Sequence, residues 1–112
     1  MTLNGVQSPR FENGELHYFV GDTFTLELKL NVKKDGEEIS ILPTERVILA
    51  FYKSGILLDE KTFSNVQDNT IEIHWDADTT AKFRKGNYVG RVIFEQEDYK
   101  RTILNDFGVC VE

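Results

Sequence analysis

Three aspartates near the middle of the chain, Asp68, Asp76 and Asp78, are the residues best suited to chemistry. Calcium takes about six to eight oxygen ligands, and carboxylates on a loop can supply them. Aspartate also caps helices, because its carboxylate accepts hydrogen bonds from the free N–H groups of a first turn. Asp76 and Asp78 begin a stretch in which apolar and polar residues do not alternate, so a strand is not indicated there. A helix cap is therefore the favoured interpretation, and a weak calcium site is the alternative.

The remaining reactive side chains do not form a recognisable motif. His17 and His74 lie far apart in the sequence, with no cysteine beside them and no His-x-His spacing, which disfavours zinc or acid–base chemistry. Cys110 has no second cysteine for an internal disulfide and is interpreted as a small apolar residue of the last strand. The sequence contains neither a Gly-x-Ser-x-Gly elbow nor a glycine-rich phosphate loop. These observations predict a non-enzymatic protein without cofactor or metal.

Composition narrows the classes of partner. The chain has 112 residues, which favours one domain, and a net charge of −6. A nucleic-acid-binding surface needs clustered Lys and Arg, and an anionic membrane repels an acidic protein, so neither partner is expected. The amino terminus lacks the basic and apolar segments of a signal peptide, and no apolar run approaches the roughly 20 residues of a membrane span. The chain is therefore expected to be made in a cytoplasm and to leave it only as part of a larger particle.

Two-residue alternation of apolar and polar side chains predicts a domain of β-strands over residues 15–112. Residues 1–14 lack this period and are interpreted as an extended amino-terminal arm with Phe11 as an anchor. Tight turns are predicted at residues 35–36 and 54–55, and a polar hairpin tip at 96–99. The predicted strands cover residues 16–20, 23–32, 46–53, 56–63, 70–75 and 87–96, and a closing strand within 100–112 that offers Ile103, Phe107, Val109 and Val111 to the core.

About seven strands with hardly any helical period predict an immunoglobulin-like antiparallel β-sandwich. One short helical turn is expected near residues 76–83. Phe83, Gly86 and Tyr88 follow it in the order of a tyrosine corner, in which the phenol bonds back to the backbone and fixes the crossing between sheets. Glycine permits a sharp turn there.

The order of several short motifs resembles a known family. Gly21-Asp22-Thr23 opens a long alternating strand, and an Asp35-Gly36 turn follows. Near the end come a helical turn and Lys85-Gly86-Asn87-Tyr88. In this order, over residues 15–111, the chain resembles the amino-terminal immunoglobulin-like domain of phage baseplate upper proteins and related prophage tail proteins. The resemblance implies a structural protein of a phage tail or baseplate, located in the virion, that acts through protein partners or as a homo-oligomer.

The alternative function is a carbohydrate-binding or adhesin-type sandwich of a bacterial surface protein. Such a module needs coplanar aromatic rings exposed on a sheet or loop, with Tyr18 or Tyr99 among them. The alternation instead predicts that most of the aromatic residues belong to the core. These residues are Phe24, Phe51, Tyr52, Trp75, Tyr88 and Phe94.

Overall fold

The structure is a computed structural model that describes residues 1–3, 5, 7–96, 99–102 and 106–112. The regular secondary structure of the described chain is almost entirely β-strand, which confirms the predicted class. The expectations for residues 97–98 at the hairpin tip and for Ile103 lie outside the described residues. The strands are β1 (Arg10–Glu12), β2 (Glu15–Tyr18), β3 (Phe24–Lys29), β4 (Lys33–Lys34), β5 (Glu37–Glu38), β6 (Arg46–Lys53), β7 (Ile56–Phe63), β8 (Thr70–Trp75), β9 (Gly86–Gln96), β10 (Tyr99–Thr102) and β11 (Phe107–Val111), and the helix is α1 (Ala77–Ala81).

Two layers of unequal size form the sandwich. The large sheet has the strand order β1-β2-β11-β9-β6-β7, and β10 adds to β9 as a hairpin. The second layer is the pair β3-β8, and β4-β5 is a separate small hairpin. The chain moves to the second layer at β3 and β8 and returns to the large sheet at β6 and β9. This alternation between layers gives the two-layer β-sandwich that the sequence predicts.

One strand pair departs from the antiparallel expectation. β2 and β11 run parallel, with Leu16 opposite Val109 and His17 opposite Cys110. A parallel pair cannot be closed by a tight hairpin and needs a long connection. Here the whole intervening domain is that connection, because β2 lies near the start of the chain and β11 near its end.

Aromatic side chains form the centre of the core. Trp75 is buried, and its ring lies 5.3 Å from Tyr18, 5.1 Å from Phe51 and 5.0 Å from Phe83. Tilted and edge-on ring pairs of this kind add about 0.5–1.5 kcal/mol each beyond burial of their area. Trp75 comes from the second layer and Phe51 from the large sheet, so their contact joins the two layers.

β6 is an interior strand of the large sheet and pairs with both β7 and β9. Its residues on both faces, from Val47 to Phe51, are buried, as predicted from its unbroken apolar sequence. The turn into β7 is formed by Ser54 and Gly55, whose φ angles are +51° and +79°. Positive φ at both positions is the type I′ geometry that matches the twist of a hairpin.

The sheet extends into the range predicted as an arm. Arg10–Glu12 forms β1 and pairs antiparallel with β2. Phe11 remains partly exposed, and its ring lies 6.0 Å from that of Phe107. The extended segment that precedes the sheet therefore ends before Arg10 rather than at residue 14.

Candidate functional site

The residues of the predicted tyrosine corner lie together at the crossing from α1 to β9. The Tyr88 hydroxyl donates a hydrogen bond of 2.6 Å to the carbonyl oxygen of Arg84. The Phe83 and Tyr88 rings meet edge-on at 5.0 Å. Gly86 has a φ of +146°, and a Cβ there would lie 3.1 Å from the Lys53 ammonium nitrogen. The arrangement is structural, since it pins the chain where it passes between layers.

Asp76 lies at the N-cap of α1. Its Oδ1 accepts a 2.8 Å hydrogen bond from the backbone N–H of Thr79. Hydrogen bonds from Thr79 hold the pKa of the Asp76 carboxyl below its usual value. Asp78 lies in the first turn of the helix, and its side chain is exposed. Within the described residues, these two carboxylates and Asp68 do not converge as a set of metal ligands.

A different set of metal-ligating residues comes together on the outer face of the large sheet. His17, Cys110 and Glu112 each place one ligand atom within 4.8 Å of the others. All three side chains are half-buried. The sequence does not predict that His17 and Cys110 meet, because no local pattern indicates that β2 pairs in parallel with β11. We call this set the His-Cys-Glu cluster.

Hydrogen bonds order the His-Cys-Glu cluster. The Nδ1 atom of His17 lies 3.1 Å from Oε1 of Glu112, and its Nε2 lies 3.3 Å from Oε2 of Glu15. Arg10 donates to the same Glu112 oxygen at 2.7 Å. The bond from Arg10, followed by that from His17, holds the pKa of Glu112 below its usual value. The cluster therefore joins the last strand to both β1 and β2.

Exposed apolar side chains gather at the beginning of β7. Ile56, Leu57 and Leu58 are 67%, 48% and 37% exposed. Leu57 lies opposite Tyr52 of β6, which lies opposite Val89 of β9, so an apolar row crosses three strands. We call residues 56–58 the β7 apolar end.

The second half of β7 is charged and tied to α1. Asp59 accepts a 3.0 Å hydrogen bond from the Lys82 ammonium. Lys61 donates one of 2.9 Å to the hydroxyl of Thr79. Inward-pointing charged side chains on an edge strand disfavour pairing with a further strand. These hydrogen bonds to the helical segment come from residues 59 and 61. Among the residues that the structure describes, the β7 apolar end makes no such bond and therefore differs from the rest of the strand.

Other apolar side chains are exposed at the amino terminus. Met1 and Leu3 are almost completely accessible to solvent, and neither residue belongs to a strand. This segment leads into β1, which lies at the opposite edge of the large sheet from β7. The sheet therefore has an exposed apolar segment at each of its two edges.

Four of the six aromatic residues predicted in the core, Phe51, Trp75, Tyr88 and Phe94, are buried, and Phe24 packs partly buried against them. The prediction was wrong for Tyr52, which is half-buried on the outer face beneath the Arg91 guanidinium. Tyr18 is among the most deeply buried side chains of the described chain, so it does not contribute to an aromatic surface. The side chain of Tyr99 lies outside the described residues. Phe11 and Phe19 are partly exposed. No pair of exposed, stacked aromatic rings occurs in the described part of the chain.

Comparison with protein-family models, with curated proteins and with solved structures finds no match for this chain. In the described part of the chain, no helix has both the length and the apolar character that a membrane crossing requires.

Proposed function

We propose that the chain is a non-enzymatic assembly module of a phage or prophage tail or baseplate, whose copies join through the β7 apolar end. The observation that supports this is the position of two exposed apolar segments at opposite edges of one sheet. The amino-terminal segment of one copy, residues 1–7, is the occupant that we assign to the β7 apolar end of the next, because Ser8 is hydrogen-bonded to Asp22 and Phe19 of its own domain.

An edge strand presents unpaired backbone N–H and C=O groups, and proteins usually protect such an edge with charged side chains or with a covering element. Within the described residues, β7 pairs only with β6. The charged second half of β7 has this protection, whereas the β7 apolar end does not. An exposed apolar surface beside unpaired backbone groups is the arrangement that binds an added strand.

The amino-terminal segment has the properties of such a strand. Met1 and Leu3 are separated by two positions, so in an extended chain their side chains lie on the same face. Strand addition supplies backbone hydrogen bonds, and the alternate side chains pack against the receiving sheet. Leu57, with the Tyr52 ring on the next strand beside it, offers Met1 and Leu3 an apolar surface at this edge.

The opposite location of the two segments determines the symmetry of the assembly. A donor at one edge and an acceptor at the other give a head-to-tail contact, which closes into a ring when the rotation between copies permits. Rings suit a tail or baseplate. The tail setting is supported by the motif order that resembles baseplate upper proteins. The β7 apolar end is only three residues long, so we expect association that depends on protein concentration.

Sedimentation velocity over a range of concentrations tests the proposal. The intact chain should associate, and both Leu57→Glu and deletion of residues 1–7, which leaves the bonds of Ser8 in place, should leave a monomer. Thr25→Glu is the matched control, because it adds the same charge at an exposed position of β3 and should associate normally. A monomeric intact chain at high concentration, or association that both changes leave intact, would overturn the proposal.

The proposed location in a phage tail is tested separately from the contact between copies. Purified phage particles from a strain that carries the gene should contain peptides of this chain by mass spectrometry. Particles free of the chain would refute the tail setting. In that case, the sedimentation result would still decide whether the chain is an assembly module.

A further inference from the structure

We propose that His17, Cys110 and Glu112 form a zinc-binding site that joins β2 to β11 on the outer face of the large sheet. This site is separate from the β7 apolar end and does not depend on the proposed assembly. The ligand atoms of the three residues lie within 4.8 Å of one another. Zinc is bound in proteins by thiolate, imidazole and carboxylate, which are the three groups present.

Strand register explains why these side chains share one face. Cys110 lies opposite His17 in the parallel pair, and Glu112 follows Cys110 by two positions. Since side chains alternate between faces, Cys110 and Glu112 project to the same side, where His17 meets them. Two of the ligands lie within paired strands, so the backbone holds them in place before any ion binds.

The geometry needs only a small adjustment to hold the ion. Zinc bonds of about 2.0–2.3 Å place tetrahedral ligand atoms about 3.5 Å from one another. Ligand atoms that lie up to 4.8 Å apart must therefore approach one another by roughly 1 Å. Rotation of the Glu112 and Cys110 side chains supplies such a movement. A water molecule takes the fourth position, since the site is half-buried rather than sealed.

Glu15 orients the histidine. Its Oε2 lies 3.3 Å from Nε2 of His17, which leaves Nδ1 directed towards Glu112. Histidines that bind metal commonly donate their other N–H to a carboxylate, which fixes the tautomer and the ring orientation. Gly108 leaves room for this carboxylate, because a Cβ there would lie 3.1 Å from Cγ of Glu15.

The positive charge of Arg10 disfavours binding of zinc. Its guanidinium lies 2.7 Å from the Glu112 oxygen, so zinc must displace a cation from one of its own ligands. Binding also releases the proton of the Cys110 thiol to solvent, because the thiolate is the ligand. Removing the Arg10 charge should therefore tighten binding of zinc, whereas removing a ligand should weaken it.

Cobalt(II) titration of the intact chain under reducing conditions tests the site, because a cobalt–thiolate bond gives a charge-transfer band in the near ultraviolet. We expect the band in the wild type, its loss in Cys110→Ser, and binding weakened by about tenfold or more in His17→Gln. Arg10→Ala should bind more tightly. His74→Ala is the control, since His74 also lies beside a carboxylate, at 3.2 Å from Glu72, and should leave the band unchanged.

Zinc should displace the cobalt and raise the melting temperature of the wild type but not of Cys110→Ser, since a ligand that binds only the folded state stabilises it. Circular dichroism at room temperature should show that the variants remain folded. A wild type without the band would overturn the site. So would a band that persists with unchanged affinity in His17→Gln, since cobalt would then bind the thiol alone.

Discussion

The hydroxyl of Tyr88 lies 2.6 Å from the carbonyl oxygen of Arg84, four residues back in the chain. This bond fixes the start of β9 against the end of the crossing from the second layer. The Tyr88 ring also packs on Phe83, which contacts Trp75 in the core. The crossing is therefore held both by a polar bond and by ring packing.

Replacing Tyr88 by phenylalanine should separate these two contributions. Tyr88→Phe keeps the ring and removes the hydrogen bond, so the free energy of unfolding should fall by about 1 kcal/mol. Tyr52→Phe, at a half-buried tyrosine on the outer face, should cost less than about 0.5 kcal/mol. Urea unfolding of both variants measures the difference. Equal losses would show that the bond to Arg84 contributes nothing particular.

The N-cap of α1 gives a second prediction. Asp76→Ala removes the acceptor of the Thr79 N–H and should lower the urea midpoint, whereas Asp78→Ala should have a smaller effect. The pKa of Asp76 is lowered in the folded state, so its contribution is present above the usual aspartate pKa. It should be lost as the pH falls through the lowered value. A difference between wild type and Asp76→Ala that does not shrink in acid would contradict this.

Alkaline stability should depend on Tyr18. Burial raises the pKa of Tyr18 to about 12 from the ordinary value of 10.0. The unfolded chain therefore loses this proton first as the pH rises, so the stabilisation is complete below pH 10 and is lost between pH 10 and about 12. The loss is at most about 3 kcal/mol. Unfolding of Tyr18→Phe should depend less steeply on pH in this window, and an unchanged slope would refute the assignment.

Gly90 should tolerate no side chain. A Cβ there would lie 2.2 Å from the Phe107 ring. Gly90→Ala should therefore lower the free energy of unfolding by about 1–3 kcal/mol, and Phe107→Leu in the same chain should recover part of the loss. Gly5→Ala is the control, because nothing lies within 4 Å of its Cβ position. Thermal unfolding compares the three, and a neutral Gly90→Ala would show that the ring moves freely.

Local patterns predicted much of this fold. The bounds of β6, β7 and β8 agree with the sequence prediction, because alternation and the Ser54-Gly55 turn are properties of neighbouring residues. β1 was missed, although Asn13-Gly14 is a dipeptide that favours a hairpin turn. The φ angles of these two residues, +50° and +76°, are those of such a turn.

The His-Cys-Glu cluster depends on a relationship that no local pattern contains. His17 and Cys110 meet only because β2 and β11 pair in parallel, and one shift of register would turn one of them to the other face. The β7 apolar end was missed for a similar reason. Ile56 and Leu57 indicate a strand in the sequence, but whether that strand lies at an edge follows from the order of the whole sheet.

Cross-linking between copies tests the proposed contact most directly. In a Cys110→Ser background, chains with Leu3→Cys and chains with Leu57→Cys are mixed in equal amounts and oxidised mildly, and the products are identified by mass spectrometry. The proposed contact predicts disulfides that join one chain of each kind, with few dimers when either variant is oxidised alone. Dimers that form as readily from the Leu57→Cys chain alone, or a mixture that yields no mixed dimer, would contradict it.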